Sequence, residues 1–296
     1  MNSIQVLNIE QFLPTENQKH FYVSDLKTHI KKNKSYITHP HKHNSYLCIL
    51  FTKGFGTHEI DFTSYEVKPG SLFLIAPGQT HHWTLSDDID GYIFTHTQTF
   101  YDIHYTNERI AQFPFFQSIY NHPLLELKMS DTQAIIALFD SILAEYTSQL
   151  PFKQQMILNY VSIVYSTLSR LYISKSKNFT SNSSRYIETY HQFEHLIEQH
   201  YSTEKSPSKY ADLLNITPKH LNRITKSNTN KTATDVIIER VLLEAKRKMV
   251  HSKSSLSEIA YALGYEDYAY FSRVFKQKEG ISPKDFLMNY KTAIVK

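Results

Sequence analysis

Leu256-Ser-Glu-Ile-Ala-Tyr-Ala-Leu-Gly264, followed by Tyr265-Glu-Asp-Tyr-Ala-Tyr-Phe-Ser-Arg-Val-Phe-Lys276, decides the reading of the last third of this chain. Ile259, Ala260 and Leu263 fall on one helical face, Gly264 breaks the period, and a second amphipathic segment runs from Asp267 to Lys278. Small Ala260 lets two helices cross closely, and Gly264 supplies the positive φ that a tight turn needs. This is a helix-turn-helix pattern. About fifty residues earlier, Ser208-Lys-Tyr-Ala-Asp-Leu-Leu214 repeats it, with Ala211 and Leu214 inward and the turn at Asn215-Ile-Thr217. Thr217 then reads as an N-cap and Pro218 as the first helical residue. Between the two, Val236 to Met249 and its neighbours read as one helix of about 18 residues, ~27 Å long at the usual rise. With its flanking elements that length approaches the ~34 Å of one duplex turn. The pattern predicts one polypeptide with two reading heads for DNA.

Composition leaves room for more. At 296 residues, with 41% hydrophobic and 14% aromatic content, the chain exceeds one ordinary domain and can fill two cores. The net charge of +4 is uneven: residues 185–296 hold 18 Lys and Arg against 13 Asp and Glu, whereas residues 1–184 hold 14 against 15. The basic excess lies with the helical repeats and agrees in sign with phosphate binding. A single cysteine, Cys48, excludes an internal disulfide framework and reads as a buried thiol. Met1–Leu13 is neither basic nor continuously apolar, so neither a signal peptide nor a membrane partner is expected, and the predicted location is cytoplasmic.

The first part of the chain has strand periodicity. Tyr46–Phe51, Thr57–Phe62, Tyr65–Val67, Ser71–Ile75, Trp83–Leu85 and Gly91–Thr95 read as short strands, punctuated by Gly54, Gly56, Pro69-Gly70 and Pro77-Gly78. Many short strands between such turns predict a β-barrel or double-sheet jelly roll with its mouth bordered by the turns. From Asp131 the period changes. Ala134, Leu138, Ile142 and Tyr146 form one stripe, and Pro151 begins a second helix carrying Ile157, Val161, Val164, Leu168 and Leu171. This helical pair either covers the barrel or pairs two copies of the chain. Ser174 to Ser184, poor in apolar residues, reads as the linker. The expected fold class is two-domain α+β. A β-barrel (jelly roll) with a helical pair occupies residues 1–174, and an all-α domain with two helix-turn-helix units occupies 185–296.

The segment Ile259–Lys276, continuing through Gly280-Ile-Ser-Pro283 and Phe286, resembles the bacterial AraC-type transcriptional regulators. His41-Lys-His43, Gly54–Phe62 and Lys68-Pro-Gly70 through Pro77-Gly78-Gln-Thr-His81 resemble the sensor domain of the same family. The resemblance implies a cupin-like N-terminal effector domain and a C-terminal domain that binds double-stranded promoter DNA. It also implies contact with RNA polymerase, activation as the default sense of regulation, and pairing into a homodimer. Leu221 and Phe271 become core anchors of the two reading helices. Lys219, Asn222 and Arg223 are the exposed candidates on the first, and Tyr268, Ala269, Ser272 and Arg273 on the second. Arg pairs bidentately with guanine and Asn with adenine, and Ala meets a thymine methyl.

Sixteen histidines invite a rival reading. His39, His41, His43, His81 and His82 gather around the expected barrel mouth, and His-x-His with a later His is cupin-like metal spacing. The acidic residue such sites place soon after His-x-His is missing from Asn44-Ser-Tyr-Leu-Cys48, and strand alternation turns Glu59 outward. No metal or other cofactor is therefore assigned. His41, His43, Tyr46, His81 and Trp83 are instead expected to line a site for a small organic effector, with imidazoles orienting a polar ligand and aromatic faces covering its apolar side. The competing classes are a metal-binding cupin enzyme, which predicts turnover, and a nonspecific DNA-binding scaffold, which predicts affinity without preference.

Overall fold

Apolar side chains on both faces of Tyr46–Lys53 (β4) and Ser71–Ile75 (β7) set the architecture of the N-terminal unit. Leu47, Ile49, Phe51, Phe73 and Ile75 enter one core while Cys48, Leu50, Leu72 and Leu74 enter another, as the two-residue strand period requires. The computed structural model describes residues 5–12, 20–102, 110, 113–116, 122–175 and 184–294. They fall into two units, drawn from Gln5–Asn178 and Phe179–Lys296.

In the first unit, β4 and β7 lie in a sheet completed by Leu124–Glu126 (β10), Asp90–His96 (β9) and Phe21–Asp25 (β2), in the order β10-β7-β4-β9-β2. A second sheet takes Gln5–Leu7 (β1), His41–His43 (β3), Thr80–Leu85 (β8), Gly56–Ile60 (β5) and Thr63–Val67 (β6), in the order β1-β3-β8-β5-β6. β1 pairs with β3 in parallel; the other pairings are antiparallel. One core lies between the sheets, with Ile60 and Val67 of the second sheet meeting Phe51, Phe73 and Ile93 of the first.

The expected cupin-like barrel is not formed. Among the described residues each sheet is open and ends in edge strands, β1 and β6 in one and β10 and β2 in the other, with no ladder joining the two. The three-residue strands β1 and β10 are too short to carry pairing around a closed barrel. The unit is a mixed α/β structure, and the jelly-roll assignment is corrected accordingly.

Helices complete this unit. Leu26–Ile37 (α1) adds to the elements read from the sequence; Asp25 caps it by accepting from the Thr28 N–H at 2.8 Å, and Leu26 and Ile37 enter the core between the sheets. Gln98–Asp102 (α2) is a short turn of helix after β9. Met129–Thr147 (α3) and Lys153–Lys175 (α4) cover the outer face of the β10-to-β2 sheet. The buried stripe of α3 is Ile135, Phe139 and Ile142, rotated from the expected one because Ala134 faces solvent. On α4, Ile157, Val161, Val164 and Leu168 are buried as their spacing predicts. Each such side chain contributes about 1.5–3 kcal/mol by leaving water.

The second unit is all helical: Ser184–His200 (α5), Pro207–Leu213 (α6), Pro218–Thr229 (α7), Ala233–His251 (α8), Leu256–Ala262 (α9), Tyr268–Glu279 (α10) and Pro283–Ile294 (α11). It holds two small cores strung along α8. Val236 and Ile237 join Phe193, Tyr210, Leu221 and Ile224, whereas Val241, Leu242 and Ala245 join Ile259, Leu263, Phe271 and Phe275.

Candidate functional site

The two helix-turn-helix units superpose in register along the chain, residue n on residue n+49 in the first helix and turn, and n+50 in the second helix. Leu214 N–H donates to Tyr210 O and Ile216 N–H to Ala211 O; Leu263 N–H donates to Ile259 O and Tyr265 N–H to Ala260 O. The turn residues are Asn215 (φ 54°) and Gly264 (φ 75°), both left-handed. A Cβ on Gly264 would collide with the Ser202 carbonyl oxygen, so glycine is required there for space as well as for conformation. Thr217 Oγ1 caps α7 by accepting from His220 N–H at 3.2 Å, and Asp267 caps α10 by accepting from Ala269 and Tyr270 N–H at 3.0 Å. Left-handed Asn230 and Gly280 end the two helices.

This repeat fixes which faces are free. Leu221 and Phe271 are fully buried anchors. Opposite them, α7 exposes Lys219, Arg223 and Lys226, and α10 exposes Ala269, Tyr270, Arg273 and Lys276. Arg223 and Arg273 thus occupy the same station of each repeat. Arg223 Nη2 donates to His220 Nδ1 at 2.6 Å, and its guanidinium lies 5.6 Å from the centre of the Tyr186 ring. Two expected readers turn away. Asn222 Oδ1 accepts the Ala233 N–H at 2.9 Å, supplying an acceptor at the first turn of α8. Tyr268 packs against the second core, its ring 6.2 Å from Phe271. Ser272 is half-buried. Lys226, Lys276 and Tyr270 were not among the residues singled out from sequence, although the fifty-residue register pairs the two lysines and would have found them.

Helix α8 holds the units together. Thr232 and Asp235 form a capping box at its start, and Lys278 of α10 pairs with the same Asp235 carboxylate. The hydrogen bond from Lys278, followed by that from Thr232, lowers the Asp235 carboxyl to about 2. Further along, Lys246 Nζ contacts Glu279 at 3.1 Å. Arg240 sits between the two cores, pairing with Glu198 and stacking on Tyr201 at 3.9 Å from the ring centre. Nineteen residues of helix span about 28 Å, close to the ~34 Å that separates successive major-groove segments on one face of the duplex.

In the N-terminal unit, four of the five expected effector residues come together. Register pairing of His41 on β3 with His81 on β8 sets their rings side by side, 4.4 Å apart. His43, two residues along β3, shares their face at 5.0 and 5.1 Å from the two rings. Trp83, two residues beyond His81, lies 5.7 Å from it. His58 of β5 adds a fourth imidazole, its Nε2 2.9 Å from His81 Nδ1. All four imidazoles are buried inside the unit, and the Pro77-Gly78 turn lies next to them, Gly78 N–H donating to the His43 carbonyl oxygen at 2.8 Å. Tyr46 stands apart. Strand alternation sends it with Cys48 to the other face of β4, where its ring meets Phe116 at 4.8 Å and its hydroxyl donates to Gln98 Oε1 at 2.7 Å. Burial lowers His41 to about 4 and His58 to about 3, and holds His43 and His81 well below the ordinary imidazole value. These rings are neutral near pH 7. His41 Nε2, His43 Nδ1, His58 Nδ1 and His81 Nε2 nevertheless lack hydrogen-bond partners, at a cost of ~1–3 kcal/mol for each buried polar group left unsatisfied.

Comparison with known proteins agrees with this division. A family model described as a helix-turn-helix domain matches residues 210–289, and one described as an AraC-like ligand binding domain matches residues 28–150. The HTH-type transcriptional activator Btr of Bacillus subtilis is 25% identical over 255 residues, which span 83% of this chain but only 45% of Btr. The HTH-type transcriptional activator RhaS of Mannheimia succiniciproducens is 22% identical over 248 residues, covering 83% of this chain and 87% of that protein. A crystal structure of ToxT from Vibrio cholerae covers 91% of this chain and 98% of its own at 16% identity and a TM-score of 0.43. Among the described residues no helix is long and apolar enough to cross a membrane. With a doubled helix-turn-helix and both family segments in their order along the chain, this protein is similar to the AraC-type transcriptional regulators, carrying an AraC-like ligand binding segment followed by a helix-turn-helix DNA-binding domain.

Proposed function

We propose that this chain is a cytoplasmic, effector-responsive activator that reads promoter DNA through residues 185–296 and senses a small molecule through residues 1–174. The observation that carries the DNA reading is the fifty-residue repeat, which presents Lys219, Arg223 and Lys226 on α7 and Ala269, Arg273 and Lys276 on α10 along equivalent faces of two helices. Arg223 and Arg273 read guanine edges, the lysines engage phosphates, and Ala269 meets a thymine methyl. Tyr270 adds an exposed aromatic ring at the start of α10. Activation is supported by likeness to regulators named as activators, and contact with RNA polymerase is the route by which an activator at a promoter would act. Pairing of two copies is supported by apolar side chains that α4 and the turn before it leave in solvent, namely Leu150, Phe152, Met156 and Ile163.

The effector acts in the N-terminal unit, where the ligand-binding family segment contains the histidine cluster and Trp83. It changes DNA binding by favouring one arrangement of the protein over another. Selection of bound duplexes from a random pool by the full chain, followed by binding titrations at several salt concentrations, tests the DNA reading. The selected sequence is expected to bind at least ~10³-fold more tightly than random duplex. Equal affinity for both would leave a nonspecific scaffold.

A further inference from the structure

The histidine cluster contains a feature that hydrogen bonding alone leaves unexplained. His41, His43 and His81 each direct a ring nitrogen into a common space, and these three atoms lie within 4.8 Å of one another. None of His41 Nε2, His43 Nδ1 and His81 Nε2 has a partner, and all are closed to solvent. Each ring of the cluster thus holds a buried nitrogen without a partner, which is destabilising unless something within the cluster satisfies it.

Hydrogen bonds on the far side of two of these rings bear on which nitrogens present lone pairs. His41 Nδ1 lies 2.8 Å from the His39 carbonyl oxygen, which can only accept, so Nδ1 carries the proton and Nε2 presents a lone pair. His81 Nδ1 lies 2.9 Å from His58 Nε2, and the tautomer in which His81 donates to His58 leaves His81 Nε2 as a second lone pair. Both second-sphere contacts orient a ring and fix its tautomer in the way that metal-bound histidines are held. An organic molecule would have to enter a cluster whose three rings are at most 4% exposed, whereas an ion needs only the space of one atom.

We propose that His41, His43 and His81 bind one divalent transition-metal ion, with a coordination position left open for a small oxygen- or nitrogen-donor ligand. Three neutral imidazoles suit Zn²⁺, Co²⁺, Ni²⁺ or Cu²⁺ and not the oxygen-seeking Mg²⁺ or Ca²⁺. Metal–nitrogen bonds of about 2.0–2.1 Å draw the three atoms to roughly 3.3 Å apart, a contraction that rotation about the side-chain bonds supplies. Among the described residues no carboxylate or thiolate joins the three histidines, so a fourth ligand comes from outside the side chains of the cluster. This inference changes the metal-free reading of the sequence, in which the missing acidic residue was decisive. Its open position rests on the effector-sensing reading above; the metal site does not.

The test uses the untagged full chain, stripped with a chelator and dialysed, and titrated with Co²⁺ alone. Visible ligand-field absorption and quenching of Trp83, the single tryptophan, report binding beside the cluster. One Co²⁺ per chain is expected. His41→Gln and His81→Gln should each weaken binding at least tenfold, and His58→Gln should weaken it by about 10–100-fold as a second-sphere change. His82→Gln, on the neighbouring strand position, should leave it unchanged. Circular dichroism of each variant separates lost ligation from lost folding; should a glutamine variant unfold, competition by Zn²⁺ for Co²⁺ on the native chain provides the affinity instead. Sodium azide, a small anionic donor, should shift the Co²⁺ spectrum. Absence of Co²⁺ absorption, or absorption unchanged in folded His41→Gln and His81→Gln, overturns the metal site even if an organic effector still alters DNA binding. A bound Co²⁺ whose spectrum ignores azide overturns the open position alone.

Discussion

Arg240 donates from Nε and Nη2 to the two carboxylate oxygens of Glu198, at 2.6 and 2.9 Å, and so fastens α5 to the midpoint of α8 between the two cores. The guanidinium is nearly buried, with Glu244 at 3.4 Å as its other acidic neighbour. Glu198→Ala should therefore strand a buried charge with one weak partner and destabilise the helical unit by about 2 kcal/mol. Urea unfolding followed by far-ultraviolet circular dichroism measures this. A loss no larger than a few tenths of a kcal/mol would mean that water replaces Glu198.

The paired turns separate conformation from space. Gly264→Ala imposes both a left-handed alanine and a collision with the Ser202 carbonyl, and should cost at least about 2 kcal/mol. Asn215→Gly relieves a mild backbone preference and should stay within about 0.5 kcal/mol of the parent. Thermal unfolding of the two variants checks the contrast, and equal destabilisation would contradict it.

Two neighbouring tyrosines should part in function. Tyr268 packs into the core and Tyr270 is 55% exposed. Tyr268→Ala should lower stability, whereas Tyr270→Ala should leave stability within about 0.5 kcal/mol and weaken DNA binding. Arg223→Ala should cost about 1–3 kcal/mol on the selected sequence and much less on random duplex. An equal loss on both duplexes assigns Arg223 to phosphate contact. Asn222→Ala should act on folding, by about 1 kcal/mol, through the Ala233 N–H it leaves unsatisfied.

His29 makes the N-terminal unit acid-sensitive. Buried beside Tyr22 and Asn33, its imidazole is lowered to about 3, first by burial, then by His41, with Asp25 opposing. The unfolded chain takes up this proton near pH 6.5, but the folded chain resists it. The full stabilisation is present above pH 6.5 and falls by roughly 1.4 kcal/mol per pH unit below it, until the folded histidine titrates near 3. Urea unfolding read by Trp83 fluorescence should show a shallower loss between pH 6.5 and 5 in His29→Gln. The same slope in parent and variant would show that His29 is already protonated in the fold or exposed to water.

The helix-turn-helix units are legible in the sequence because their determinants are local. Ala211 and Ala260 at the helix crossings, Gly264 at its turn, and the caps Thr217 and Asp267 act within a few residues of themselves, and the helical period together with the family resemblance points Leu221 and Phe271 inward. Which exposed side chains face DNA is less legible. Helical spacing left Asn222 and Tyr268 at the edge of the free face, and contacts with Ala233 and Phe271, from other parts of the chain or the next turn, drew them in.

In the N-terminal unit the sequence by itself determined the strands between Tyr46 and Thr95 and the turns that separate them, through the two-residue period and the glycine and proline positions, but not the strands at His41–His43, Phe21–Asp25 or Leu124–Glu126. Only the tertiary structure decided that the strands form two open sheets, that β3 pairs with β8 so that His81 meets His41, and that Tyr46 lies on the far side of its sheet. Strand pairing joins residues some forty positions apart, and its choice rests on side-chain packing summed over the whole core, whereas periodicity records only which side of its own strand a residue occupies.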